Sequence, residues 1–212
     1  MSRINAEVVE RKAQQVLRNA GALTIPVDLD KVLQNLNVRL HDEEMDAETA
    51  GVLIVKGEER HVLVNKDHPH NRRRFTIAHE LGHLVLHDDE TNGDASGQRM
   101  YIDRQIRVYQ RVGEASSAVY QQEGSQTTVQ QEREANAFAA CLLMPTHHVI
   151  RAALERDLFD EISVASLARN FEVSEQAMSI RLQQLQLMTV DIGLQAQAAD
   201  TPTPPSQHPM AV

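Results

Sequence analysis

The stretch from Phe75 to His87 constrains this chain more than any other. It reads Phe-Thr-Ile-Ala-His-Glu-Leu-Gly-His-Leu-Val-Leu-His, an apolar run holding His-Glu-x-x-His at helical spacing. On an α-helix, positions four apart lie roughly 40° apart around the axis and about 6 Å apart along it. His79 and His83 can therefore bind one metal ion from one face, and Glu80 can reach a water beside that ion. This is the arrangement of zinc hydrolases, in which two imidazoles hold the ion and the carboxylate takes a proton from water. Ile77, Leu81 and Leu84 supply the apolar stripe of a buried helix. Gly82 costs that helix only about 1 kcal/mol of propensity. A core helix whose histidines bond to backbone or solvent would explain the stripe but not Glu80. A buried carboxylate is costly unless it is paired or associated with a metal.

Length and charge narrow the class. The 212 residues suffice for one domain with a full core, or one domain plus an appendage. With no Trp, the core must be mainly aliphatic. A formal net charge of −9 argues against a general nucleic-acid binder. The single cysteine, Cys141, forbids an internal disulfide and suits a reducing cytoplasm. The polar N-terminus lacks the apolar core of a signal peptide. No run approaches the ~20 apolar residues of a membrane span. The expectation is a soluble, cytoplasmic protein with no membrane partner.

In chain order, residues 4–20 read as an amphipathic helix with Val8, Val9, Ala13, Val16 and Leu17 inward, ended by Gly21. A second helix opens at Pro26-Val27-Asp28, with Asp28 as its N-cap, and runs to about Asn35. Val38 to Leu40 is a short strand. Gly51–Val55 and His61–Asn65 form a hairpin around a charged turn. The motif helix is expected over 73–87. Arg72, Arg73 and Arg74 stand at its start, where the helix dipole disfavours cations. They are either a solvated face or a site for a carboxylate or a substrate backbone. Residues 88–131 read as irregular, with short strands at Met100–Asp103 and Ile106–Tyr109 and a Ser/Gln/Thr-rich, mobile stretch from Glu114 to Gln130. Helical character returns over 132–144, stopped by Pro145. Ala135, Ala139 and Leu142 share one face of that helix, and small residues there permit close approach of another helix. Glu132 lies on this face one turn ahead, an odd place for a carboxylate unless it points at a cation. A further helix spans His147–Leu158, and two more lie within Ser163–Leu187, with Ser163 and Ser174 placed as N-caps. The Pro-rich tail from Gln195 is expected to be disordered.

Catalytic zinc usually takes three protein ligands. A metzincin would need Gly at 86 and His at 89, but the chain has Leu86 and Asp89. His87 would be a third ligand on nearly three turns of one straight helix, too spread to converge on a small ion, so it fits better behind the ligands. Asp88, Asp89 and Asp103 read as surface charges. A glutamate from a separate helix completes a two-histidine, one-carboxylate set, and Glu132 and Glu134 both qualify. Such a set suits zinc, with manganese not distinguished by spacing.

Two segments together carry a resemblance. Arg74-Phe-Thr-Ile-Ala-His-Glu-Leu-Gly-His83, followed by Glu132-x-x-Ala135-Asn136-x-Phe138-Ala139-x-x-Leu142-Leu143-Met144-Pro145, closely resembles the ImmA/IrrE family of metallo-endopeptidases. The likeness extends over about residues 5–190. It implies a zinc- or manganese-dependent peptidase that cleaves a helix-turn-helix repressor, relieving repression of mobile-element, stress-response or DNA-damage-response genes. It also implies that His79, His83 and Glu132 bind the metal and that Glu80 is the base, with Glu134 as second choice of ligand. The oxyanion partner is not readable, and Tyr101, Tyr109, His87 and Arg72–Arg74 are its candidates.

A rival function comes from Val164 to Leu182, which has the apolar rhythm of a helix-turn-helix. On that reading residues 163–187 make a DNA-binding regulator, and the metal site is vestigial or structural. From Asp160 to Val190, however, two arginines stand against four acids, and the second helix carries only Arg181. DNA affinity rests largely on neutralising phosphates. A packing or protein-recognition role fits that charge better, with no direct DNA binding. The expected fold is α+β: a helical metallopeptidase body with a small antiparallel sheet over 1–158, a helix-turn-helix-like helical subdomain over 159–194, and a disordered tail over 195–212.

Overall fold

The computed structural model describes residues 6–87, 98–103, 128–156 and 161–188, the stretch 98–103 by its backbone. The order is α1 (Ala6–Ala20), α2 (Leu29–Asn35), β1 (Val38–Glu43), β2 (Gly51–Lys56), β3 (Glu59–Asn65), α3 (His70–His87), β4 (Gln98–Asp103), α4 (Val129–Leu143), α5 (Thr146–Leu154), α6 (Glu161–Phe171) and α7 (Glu175–Gln184). The chain is α+β, as its patterning predicts.

Local signals explain most of these boundaries. α1 buries Val9, Ala13, Val16 and Leu17, and Gly21 ends it with a positive φ of 64°. Asp28 caps α2 by accepting the Lys31 N–H at 3.2 Å. Ser174 caps α7 through the Ala177 N–H at 3.1 Å. Ser163, expected as a cap, instead lies inside α6, which begins at Glu161. α5 stops at Leu154 rather than Leu158, because the Arg156 N–H turns back to the Ala153 carbonyl at 3.1 Å.

Both metal-motif helices start earlier than the sequence suggests. α3 begins at His70, not 73, and the Arg73 N–H reaches the Pro69 carbonyl at 3.0 Å. α4 begins at Val129 because Thr128 and Gln131 form a reciprocal capping box. The stretch expected to be irregular therefore gives up its last residues to α4, and its expected strand at Met100–Asp103 is present as β4, which starts at Gln98. The expected strand at Ile106–Tyr109 and the tail lie outside the described residues, as does most of the Ser/Gln/Thr-rich stretch.

The sheet is mixed, not antiparallel. Its order is β1-β3-β2-β4. The hairpin pairs β2 with β3 as expected, and β4 adds antiparallel to β2, but β1 runs parallel to β3, with Val38 opposite Arg60. The departure arises because β1 lines up on the far edge of β3, and residues 44–50 carry the chain across to β2. The buried Asn65 side chain ties down that crossing by donating to the carbonyls of Asp46 and Thr49, both at 3.1 Å. No local pattern encodes a strand's non-neighbouring partner.

One face of the sheet, with Leu53, Val55, Val62 and Val64 fully buried, packs on α3. On its other side α3 meets α4 at very close range. A Cβ added at Gly82 would lie 3.0 Å from both the Cα and the carbonyl oxygen of Ala135. The small-residue face of α4 thus seats the glycine of α3. Among the described residues, no single helix is long and apolar enough to cross a membrane.

Gly82→Ala tests this contact. Alanine gains about 1 kcal/mol of helix propensity, but the atoms it meets are backbone, and overpacking typically costs about 1–3 kcal/mol. The variant should unfold at lower urea than the parent, whereas relief of a mere helix-propensity defect would raise the midpoint.

Candidate metal centre

α3 and α4 each contribute an i, i+4 pair to the same spot. From α3 come His79 and His83, both about 1% exposed, with their Nε2 atoms 3.0 Å apart. From α4 comes Glu132, with Oε2 3.2 Å from His79 Nε2 and Oε1 3.4 Å from His83 Nε2. The three groups offer ligand atoms that all lie within 4.8 Å of one another. A tetrahedral ion with metal–ligand bonds near 2.0–2.1 Å holds its ligand atoms roughly 3.3 Å apart, so these separations fit a zinc-sized divalent cation.

Asn136 is one turn beyond Glu132 on α4. Its Oδ1 lies 3.2 Å from His79 Nδ1. With a cation bound, a proton on Nδ1 donated to that oxygen would leave Nε2 as the lone-pair atom facing the cluster, which is how carbonyl partners orient metal-binding histidines. Asn136 belongs to the Ala-Asn pair of the second motif, but the motif alone attaches no task to it. Its i+4 spacing from Glu132 was the available signal.

Glu80 is 0% exposed and turns toward β2. A Cβ added at Gly51 would clash with the Thr76 methyl and lie 3.2 Å from Glu80 Oε1. Only glycine at the start of β2 leaves room for the carboxylate between helix and sheet. This role was invisible in the sequence, since it depends on the crossing over 44–50 that delivers Gly51 there.

The remaining candidates separate. Glu134 does not join the cluster: it accepts from Gln130 Nε2 at 2.6 Å and lies 3.8 Å from His87 Nε2. Being two residues from Glu132, it points around the helix to another side. His87 bonds the Gln131 carbonyl at 3.2 Å and sits behind His83, ring centroids 5.5 Å apart. Arg73 pairs with Asp42, and Arg74 binds the Val27 carbonyl at 2.8 Å and Glu172 at 3.2 Å. Those two arginines bind carboxylates of their own chain, near the opposite end of α3 from His87, and Arg72 shares that first stretch of the helix. Tyr101 is on β4, described by its backbone, and Tyr109 lies outside the described residues.

Burial sets the charge state. Desolvation pushes His83 down to about 4, although its hydrogen bond to Glu132 pulls the other way. Burial also pushes His87 down. For Glu132 burial raises the pKa, but hydrogen bonds from His79 and His83 outweigh it and hold the carboxyl well below its usual range. A neutral His83 beside an ionised Glu132 matches the protonation states a cation requires.

A mixed α+β body with two histidines one helical turn apart and a carboxylate from a second helix belongs to the class of HExxH metal-dependent hydrolases. The model for the Peptidase M78 family, described as the IrrE N-terminal-like domain, matches residues 33–108 and 108–183. The chain belongs to this family, which implies a metallopeptidase. No curated protein matches it.

Two outcomes are expected here. Glu132→Ala should lower metal content far more than Glu134→Ala, as read by metal analysis of the purified proteins; the reverse order would move the third ligand to Glu134. Metal-free protein should also lose stability in acid. The folded pKa of His83 lies below the unfolded value near 6.5, so its contribution is full above that value and is lost as pH falls from about 6.5 toward 4. The loss is on the order of 3 kcal/mol. Urea midpoints that stay level across this window would contradict the neutral, buried imidazole.

Proposed function

We propose that this protein is a metal-dependent endopeptidase that cleaves a cytoplasmic helix-turn-helix repressor at one site and so relieves repression of stress-response or mobile-element genes. The convergence of His79, His83 and Glu132 next to a fully buried Glu80 is the observation that carries this reading. In it, the three are the metal ligands, zinc or manganese, and Glu80 is the general base. When bound, the cation supplies Lewis acidity that polarises the scissile carbonyl and makes water acidic near neutral pH. Glu80 takes a proton from the attacking water and delivers it to the leaving amine. Asn136 holds the ring of His79 in its working tautomer. Gly51 and Thr76 wall Glu80 on the sheet side. Among the candidates for the oxyanion partner, Tyr101 and Tyr109 keep their place, while Arg73 and Arg74 are committed to Asp42 and Glu172.

α6 and α7 form, in this reading, the helix-turn-helix-like subdomain that recognises a protein rather than DNA. Arg181, the one basic residue of α7, is 5% exposed. It donates to Glu10 at 2.8 Å, to the Met144 carbonyl at 3.1 Å and to Thr146 at 2.9 Å. A side chain spent in this way offers nothing to a phosphate, which weighs against the DNA-binding regulator.

The test uses three substrates: casein, a short peptide spanning the cut site, and an intact repressor encoded beside this gene. The intact repressor alone should be cleaved efficiently, in a chelator-sensitive way. Comparable turnover of all three would leave an unselective peptidase. Glu80→Gln should retain the metal and lose roughly 10²–10⁴-fold in rate; unchanged cleavage with equal metal would remove Glu80 from the mechanism.

A further inference from the structure

A cleft of about 570 Å³ lies between α5, the end of α6 and the Ile25-Pro26 segment. It shares no lining residue with the metal centre and is lined by Arg151, Arg156 and Arg169, a concentration of cations on a chain of net charge −9. Arg151 and Arg169 are exposed, and among the described residues neither has an ion pair. Arg156 gives Nη1 to the Ala152 carbonyl at 2.6 Å. Two acids also line the cleft, Glu155 and Glu172, but Glu172 is already held by Arg74 and by His70, each at 3.2 Å. The local balance is therefore positive where the surrounding field is negative. Unpaired guanidiniums in a concave site favour a ligand bearing carboxylates, which they can bind bidentately.

Carboxylates alone do not define the ligand. The cleft sits at the C-terminal ends of α5 and α6, where the dipoles are negative, although the Ala152, Ala153, Ala168 and Arg169 carbonyls already have donors in Arg156, Glu172 and Val173. A good ligand therefore brings acceptors for the arginines and gains from donors that face the negative helix ends. A peptide has both, in acidic side chains and backbone N–H groups. A phosphodiester has acceptors only, so it leaves the negative helix ends without a donor. Ile25 and Pro26 add an apolar wall for a side chain between the acids.

We propose that this cleft is a docking site for a short acidic segment of a partner protein, bound through Arg151 and Arg169. If the peptidase reading holds, the partner is the substrate, and docking at a distance raises its effective concentration at the metal. The experiment avoids hydrolysis, so it succeeds or fails independently of that reading. The full-length chain is titrated, at about 150 mM salt, into a fluorescein-labelled decapeptide of alternating Glu and Leu pairs. The same peptide with Lys for Glu and a single-stranded oligonucleotide serve as controls, and anisotropy is the readout. The acidic peptide should bind, the Lys peptide should not, and Arg151→Glu/Arg169→Glu should weaken binding by about tenfold or more, with thermal midpoint and metal content unchanged. Arg151→Lys/Arg169→Lys should fall between. Equal binding by parent and Glu variant, or no binding by the parent, would overturn the proposal. Tighter, arginine-dependent binding of the oligonucleotide would overturn it in favour of a phosphate site. A tenfold gain on deleting residues 189–212 would overturn it in favour of the chain's own tail.

Discussion

The contact between Gly82 and Ala135 is the constraint on which the metal centre depends. It brings the backbones of α3 and α4 to within the reach of a single missing Cβ. At an ordinary helix separation, Glu132 and Asn136 would fall short of His79 and His83. With the glycine in place, one i, i+4 pair is set against another, and ligand atoms from two helices converge within hydrogen-bond distance. The small side chains of α4 are thus a geometric requirement of the site as much as a feature of the core. The helix-propensity cost of Gly82, about 1 kcal/mol, is offset by packing that no larger residue permits.

The same compactness sets the electrostatics. Two imidazoles and two carboxylates in a region this buried would be expensive if left to themselves. Glu132 is ionised because two histidine rings face it, and His83 stays neutral because water is excluded. Such a cluster is poised for a cation, which satisfies all the converging lone pairs at once. Glu80 is kept off the cluster by direction: it follows His79 by one residue, so it points about 100° around the helix, into the space Gly51 leaves at the edge of β2. Adjacent residues in one motif therefore face different neighbours without competing for the same position.

Arg181 shows how tertiary context reassigns a familiar pattern. In a helix-turn-helix the lone arginine of the second helix would be the residue that meets nucleic acid. Here it is drawn into the body, where Glu10 of α1, Thr146 of α5 and the carbonyl closing α4 surround it. Although burial alone would raise the Glu10 pKa, hydrogen bonds from Cys141, Thr146 and Arg181 lower it to about 2. A buried pair of this kind contributes little net stability over an apolar substitute but is strongly destabilising when one partner is removed. Its effect is to lock α7 against α1 and the end of α4.

His79, Glu80 and His83 were legible in the sequence because their spacing within one helix is a local property, and local periodicity survives folding unchanged. The hairpin, α1, α2 with its Asp28 cap and the small-residue face of α4 were legible for the same reason. The choice between Glu132 and Glu134 was open from the residues alone, since both belong to one turn of a helix whose rotation about α3 is a tertiary quantity. The resemblance of the segment around Asn136 favoured Glu132, and the packing of Gly82 on Ala135 aims it. Other features had no local signature. The parallel pairing of β1 depends on a crossing held by Asn65, Gly51 matters only because that crossing ends beside Glu80, and the arginines at the head of α3 find their carboxylates on β1 and beyond α6. Sequence by itself determined which groups are candidates for the chemistry, because spacing on a helix is intrinsic to the chain. Only the tertiary structure decided which of them meet, because that is set by how closely separate elements can pack.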